Sequence, residues 1–271
     1  MSNSFFATVY DCLMTVDPVI KVKKTYQCFE QLNTGKLAFA LAEQPETITV
    51  PGRPEKPELV NPRNVSKRSM NTLEGRVILA HAIAHIEFNA INLALDAAYR
   101  FRGMPESFYY DWIKVAKEEA YHFTLMQDYL QSHGYHYGDF SAHNGLWEMA
   151  LKTDSNVLER MALVPRVLEA RGLDVTPGMI KKLKNVGDKE IVNCLEIIHQ
   201  EEIGHVAIGS HWFKYCCEQQ NLNMKETFLA LIKQHMNNAI RGPFDEWSRL
   251  QAGFTEEEMS DLKRLETGKT H

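Results

Sequence analysis

The chain has 271 residues, of which 44% are hydrophobic and 10% aromatic, enough apolar matter to close a core and to exclude disorder along its whole length. Lys and Arg number 30 against 35 Asp and Glu, a net charge of −5, which argues against a protein built mainly to bind nucleic acid or an anionic membrane. Five cysteines without a CxxC pair, no basic signal region and no uninterrupted apolar run of bilayer length point to a cytoplasmic chain with reduced thiols.

In chain order, residues 1–44 read as helices. Phe5, Phe6, Val9, Cys12, Leu13 and Val16 recur at helical spacing, and Asp17-Pro18 is a good helix start. Pro45, Pro51, Pro54, Pro57 and Pro62 then predict an extended linker over 45–65, because proline lacks an N–H and restricts its predecessor. A helix over 72–101 follows, with Asn71 and Glu74 as a capping box and Gly103 as its stop. The next helix runs from Pro105 to just before Gly134. A Tyr/His/Gly-rich loop (134–145) leads to a helix over 146–171, kinked at Pro165 and ended by Gly172. A loop containing Pro177, with Lys181, Lys182 and Lys184 beyond it, precedes a long helix from Asp188 to about 220. Two further helices are expected near 223–238 and 255–265, the second from the Thr255/Glu258 capping box. No strand pattern is visible, so the fold class is all-α. The division expected is N-terminal helices (1–44), linker (45–65), a four-helix bundle (66–221) and C-terminal helices (222–271).

Chemistry concentrates in the long helices. The positions three, four and seven residues from Glu87 are Ala80, Ile83, Ala84, Ala90, Ile91 and Ala94, so its carboxylate points into the core and needs a cation, a metal or a proton there. Glu119 and His122 form an ExxH, whose three-residue spacing puts both side chains on one helix face. Glu202 and His205 repeat it. Glu119 lies 32 residues after Glu87, with Gly103 at the midpoint, and Glu169 lies 33 residues before Glu202. Glu…ExxH thus occurs twice, the ligand pattern of di-iron and di-manganese carboxylate proteins of the ferritin-like class. The expected metal ligands are Glu87, Glu119, His122, Glu169, Glu202 and His205. Glu159, nearer the middle of its helix, is the alternative to Glu169. Carboxylates and imidazoles suit two Fe ions, with Mn/Fe or Mn/Mn as variants. His81 and His85 lie off the Glu87 face and read as core histidines or supports for the ligands. Cys216 and Cys217 read as packing thiols, and the lysines of 181–184 as a solvated face.

The stretches RMALVPRVLEARGLD (160–174) and EEIGHVAIG (201–209) resemble those of an uncharacterised bacterial ferritin-like family, a domain-of-unknown-function group, over about residues 66–220. That resemblance implies a ferritin-like four-helix bundle carrying extra N- and C-terminal helices. Glu-Ala-Arg at 169–171 and Glu-Glu-x-x-His at 118–122 are also, more distantly, similar to the tRNA-modifying di-iron monooxygenases.

The function expected is an O2-activating oxidase or hydroxylase acting on a small-molecule substrate. The alternatives are a metal storage protein or ferroxidase, which needs a cage that the 45–65 prolines fit poorly, and a non-catalytic interaction protein. The partners expected are substrate, O2 and an electron-donor protein, since no Gly-rich nucleotide fingerprint is present. Membrane and nucleic acid are not expected as partners, and a homodimer is compatible with the pattern.

Overall fold

A computed structural model describes residues 3–39, 44–66, 69–236 and 240–266. Apart from two paired strands of two residues each, its regular elements are helices, so the fold is all-α. The chain divides into two compact units, Met1–Leu151 and Lys152–His271.

In the first unit, β1 (Asn3–Ser4) leads directly into α1 (Phe5–Leu13), which buries Phe5, Phe6, Val9, Cys12 and Leu13 as their spacing requires. α2 (Pro18–Asn33) starts as expected, the Asp17 carboxylate accepting from the Ile20 N–H at 2.9 Å. It ends well before residue 44. β2 (Leu37–Ala38) then pairs in parallel with β1, a ladder too short to show a period in sequence, and residues 40–43 lie outside the described ones. The proline-rich segment is extended but tied down. Val60 N–H donates to Ala142 O at 2.8 Å and Ala142 N–H to Glu58 O at 2.9 Å. The Trp147 indole donates to Thr49 O at 2.9 Å.

α3 (Leu73–Arg100) is capped by Thr72, one residue beyond the expected Asn71. α4 (Glu106–Ser132) follows the Gly103 turn, where φ is +77°, and packs back along α3 as a hairpin. α1 packs on α3 and α2 on α4, and α5 (Gly145–Lys152) closes the unit. By length and composition α3 could cross a membrane, but 83% of its most apolar window is buried within the protein, as in a core helix.

One buried cation joins the N-terminal helices to the hairpin. Lys21 Nζ donates to Leu13 O at 2.7 Å and to Asn92 Oδ1 at 2.5 Å. Burial pulls its pKa down to about 7. Between pH 7 and the usual lysine value the unfolded chain holds a proton that the folded one has released, so stability rises with pH across that window. Below pH 7 both states carry the proton and the burial cost is full. Urea unfolding should show the wild type gaining about 2 kcal/mol between pH 7 and 9 relative to Lys21→Met.

The second unit departs most from expectation. The helix expected over 146–171 is broken after α5. Thr153 is buried and accepts from Arg160 Nε at 2.8 Å, while Asn156 caps α6 (Val157–Leu163). A π-helical turn, Val164–Glu169, absorbs Pro165, whose ring clashes with a regular preceding turn and which has no N–H to donate. α7 (Ala170–Val186) then runs straight through Gly172 and Pro177, where an end and a loop were expected. Gly172 is not left-handed. The stop is Gly187, with φ +81°. The carbonyl orphaned by Pro177 is offset by packing α7 along α8 (Lys189–Gln219), with Leu173, Thr176 and Leu183 buried. α9 (Met224–Met236) and α11 (Glu256–Glu266) lie where expected, though 237–238 fall outside the described residues. The Thr255/Glu258 capping box forms in both directions, at 2.9 and 3.1 Å. The short α10 (Glu246–Gln251) was not expected, since six residues carry too little periodicity to read.

Gly209 on α8 makes room for the π-turn. A Cβ there would stand 2.3 Å from the Pro165 ring carbons. Gly209→Ala should cost about 1–3 kcal/mol, read by urea unfolding, whereas Gly204→Ala, whose Cβ meets nothing within 4 Å, should be neutral or stabilising.

Candidate metal centre

α3 is buried almost all round, and its polar groups have specific partners. Asp96 is paired with Arg100 at 2.6 Å, and Asn92 accepts from Lys21. His81 Nε2 accepts from Gly138 N–H at 2.9 Å. His85 Nδ1 lies 2.9 Å from the Tyr137 hydroxyl and Nε2 3.1 Å from His143 O. Burial lowers both histidines to about 4, so both are neutral. They serve the 134–145 loop, consistent with core histidines. Tyr137, its ring packed on His81, Phe88 and Phe123, seals that loop against the helix.

Glu87 is different. It is 4% exposed, and its partner on α4 is His122. His122 Nδ1 lies 3.4 Å from Glu87 Oε2 and 3.2 Å from Glu119 Oε2, with His122 and Glu119 fully buried. A single Nδ1–H can serve only one of two carboxylates well. A first-row metal ion at about 2.1 Å from each of several donors, at angles of about 90–110°, holds those donors about 3.0–3.4 Å apart. Each carboxylate oxygen stands at such a spacing from the imidazole nitrogen, and carboxylate oxygen with imidazole nitrogen suits such an ion by chemistry.

In the second unit, α8 places Glu202, 9% exposed, and the fully buried His205 one turn apart, with His205 Nδ1 3.5 Å from Glu202 Oε1. The nitrogen turned toward the carboxylate is again Nδ1. These buried Glu and His groups could hold a metal. Glu169 is half-buried and closes the π-turn, a helix irregularity frequent at functional sites. Glu159 is engaged elsewhere: its carboxylate accepts from Asn156 Nδ2 at 3.2 Å and lies 3.3 Å from His235 Nε2. The structure thus brings together Glu87, Glu119 and His122 in one unit, and Glu202 with His205 in the other.

Lys181, Lys182 and Lys184 are exposed on α7. Cys216 and Cys217 are buried, and burial raises the Cys216 thiol to about 11 and the Cys217 thiol above its ordinary value, which suits packing rather than redox chemistry. What the sequence did not reveal is the pair of buried ion pairs that flank Glu169. Arg166 binds Glu258 at 2.7 Å, ringed by Phe213, Phe228 and Phe254. Asp174 binds Arg249 through two bonds of 2.8 Å. A charged residue at helical spacing from apolar ones was the available signal, but its partner lies more than 70 positions away.

No solved structure matches the chain. An uncharacterized protein of Haemophilus influenzae is 43% identical over 274 residues, covering 97% of this chain and 95% of that one. Residues 14–260 match the family described as "Protein of unknown function (DUF455)". By that match and that relative, the chain belongs to the DUF455 family.

Proposed function

We propose that this protein is a dinuclear metal-carboxylate protein of the ferritin-like class, most consistent with an O2-activating oxidase or hydroxylase. The observation that carries the reading is His122 Nδ1 set against two buried carboxylates at 3.2 and 3.4 Å. The duplicated Glu…ExxH spacing supports a second ion held by the other set. In this reading Glu119, His122, Glu202 and His205 would hold the ions, and Glu87 and Glu169 would complete their ligand sets. Bound iron would supply electrons to dioxygen.

The chain's own contribution is binding and exclusion of water. Ligation through Nδ1, the nitrogen turned toward the carboxylates, would leave the proton on Nε2 of each imidazole and fix its tautomer. Glu87, Glu119 and His122 are themselves buried away from water, which strengthens charge interactions there. The five free cysteines fit a reducing, cytoplasmic setting, and reductant would come from a separate protein or small molecule.

Protein purified without chelator or metal-affinity resin should carry about two Fe or Mn per chain by elemental analysis. Anaerobic Fe(II) loading followed by oxygen should give O2 consumption in an oxygen electrode, slow until the right substrate is present. Absence of metal that persists after anaerobic Fe(II) addition would sink the reading.

A further inference from the structure

The second unit carries a groove of about 540 Å³ that the metal reading does not use. One wall is Trp247, 62% exposed on α10 although its neighbours Ser248 and Arg249 are buried. The backbone under the indole is locked, because Arg249 is held by Asp174 and Ser248 N–H by the Asp245 carboxylate at 3.1 Å. The indole is therefore presented to solvent from a fixed backbone. The other wall is α7, with Lys181 and Lys184 at the rim and Lys184 braced by Glu196 at 2.6 Å. At the base lie Ser248 and His199, the latter with a buried Nδ1 that has no hydrogen-bond partner among the described residues. Burial lowers the His199 pKa from its ordinary value, which favours the neutral ring.

We propose that this groove binds a nucleotide, its base stacked on Trp247 and its phosphate at Lys181 and Lys184. Three separate features select that chemistry. An exposed indole offers a π-face to any base. Lys181 supplies a positive charge for a phosphate, with Lys184, paired with Glu196, beside it. Asp245, which lines the groove, offers a carboxylate oxygen to the donors of a base edge or a ribose, which a simple aromatic acid lacks. The volume falls within the range of small-molecule sites. A free mononucleotide and a terminal nucleotide of a single strand share this chemistry.

Isothermal titration calorimetry on the full chain distinguishes them, with adenosine monophosphate, adenosine, inorganic phosphate and a short single-stranded oligoadenylate as probes. Adenosine monophosphate should bind saturably, and adenosine or phosphate alone at least about tenfold more weakly. Trp247→Leu and Lys181→Glu should each weaken binding about tenfold or more. Both positions are exposed, and thermal melting confirms that the variants fold. Tighter binding of the oligonucleotide, with a steep salt dependence, would assign the site to a strand end. Equal affinity for nucleotide and nucleoside, unchanged binding by Lys181→Glu, or no saturable heat with nucleotide or oligonucleotide would overturn the proposal. Metal content is independent of all these outcomes.

Discussion

Glu119→Gln should lower the metal content of the protein from about two ions per chain to about one or fewer, and at the same time raise the melting temperature of the metal-free form. The opposite signs follow from one arrangement. Glu119 and Glu87 both lie against His122 Nδ1 in a site closed to water. Without metal, two carboxylates share one imidazole in a low-dielectric pocket, which is costly. Gln keeps the shape of Glu119 and removes its charge, so the apo fold should gain about 1–3 kcal/mol. With metal, the same change removes an anionic ligand, and the stabilisation by binding, about 2.7 kcal/mol at a hundredfold excess over the dissociation constant, largely disappears. Melting curves with and without Fe(II), beside elemental analysis, read both effects. Glu159→Gln serves as the control, because its carboxylate is engaged by Asn156 and His235. Equal metal content in wild type and Glu119→Gln, or an apo form less stable than wild type, would refute the assignment.

The helices that carry the candidate ligands were legible because their signals are local. Glu87 announces itself by six apolar neighbours on its own helix face, and the ExxH pairs by a three-residue spacing. The hairpin of α3 and α4 follows from Gly103, which takes the left-handed conformation at its turn. The stretch 146–186 was misread because its rules are set by tertiary packing. Gly172 and Pro177 look like breakers, yet both sit inside α7, since burial of one face against α8 outweighs local propensity. The π-turn at Pro165 is likewise invisible locally, because it needs Gly209, more than 40 positions on, to leave space for the proline ring. The histidines at 81 and 85 could be placed off the Glu87 face from sequence. Their partners in the 134–145 loop could not, since loop conformation has no period.

Asp174→Ala should destabilise the second unit by about 3–5 kcal/mol. The Asp174 side chain is fully buried and makes two bonds of 2.8 Å with Arg249 while also accepting from Asp245 N–H at 3.0 Å. Removing it leaves a guanidinium, 3% exposed, with no carboxylate to balance it, and frees the start of α10. Arg249 also lies over the Phe244 and Phe254 rings, so the charge has little water to turn to. The double variant Asp174→Leu with Arg249→Met should recover much of the loss, because the penalty comes from stranding one charge rather than from losing the pair. Urea unfolding of the single and double variants measures this coupling. Equal losses in both would mean that packing, not the ion pair, holds α10. The position matters beyond stability. Glu169 lies between Arg166 and Asp174, each of which binds a residue of the C-terminal helices, Glu258 and Arg249. Those helices therefore clamp the π-turn from both sides. A metal ligand on an irregular turn is only as well placed as the packing that holds the turn, which gives the C-terminal segment a physical role in the proposed chemistry without touching it.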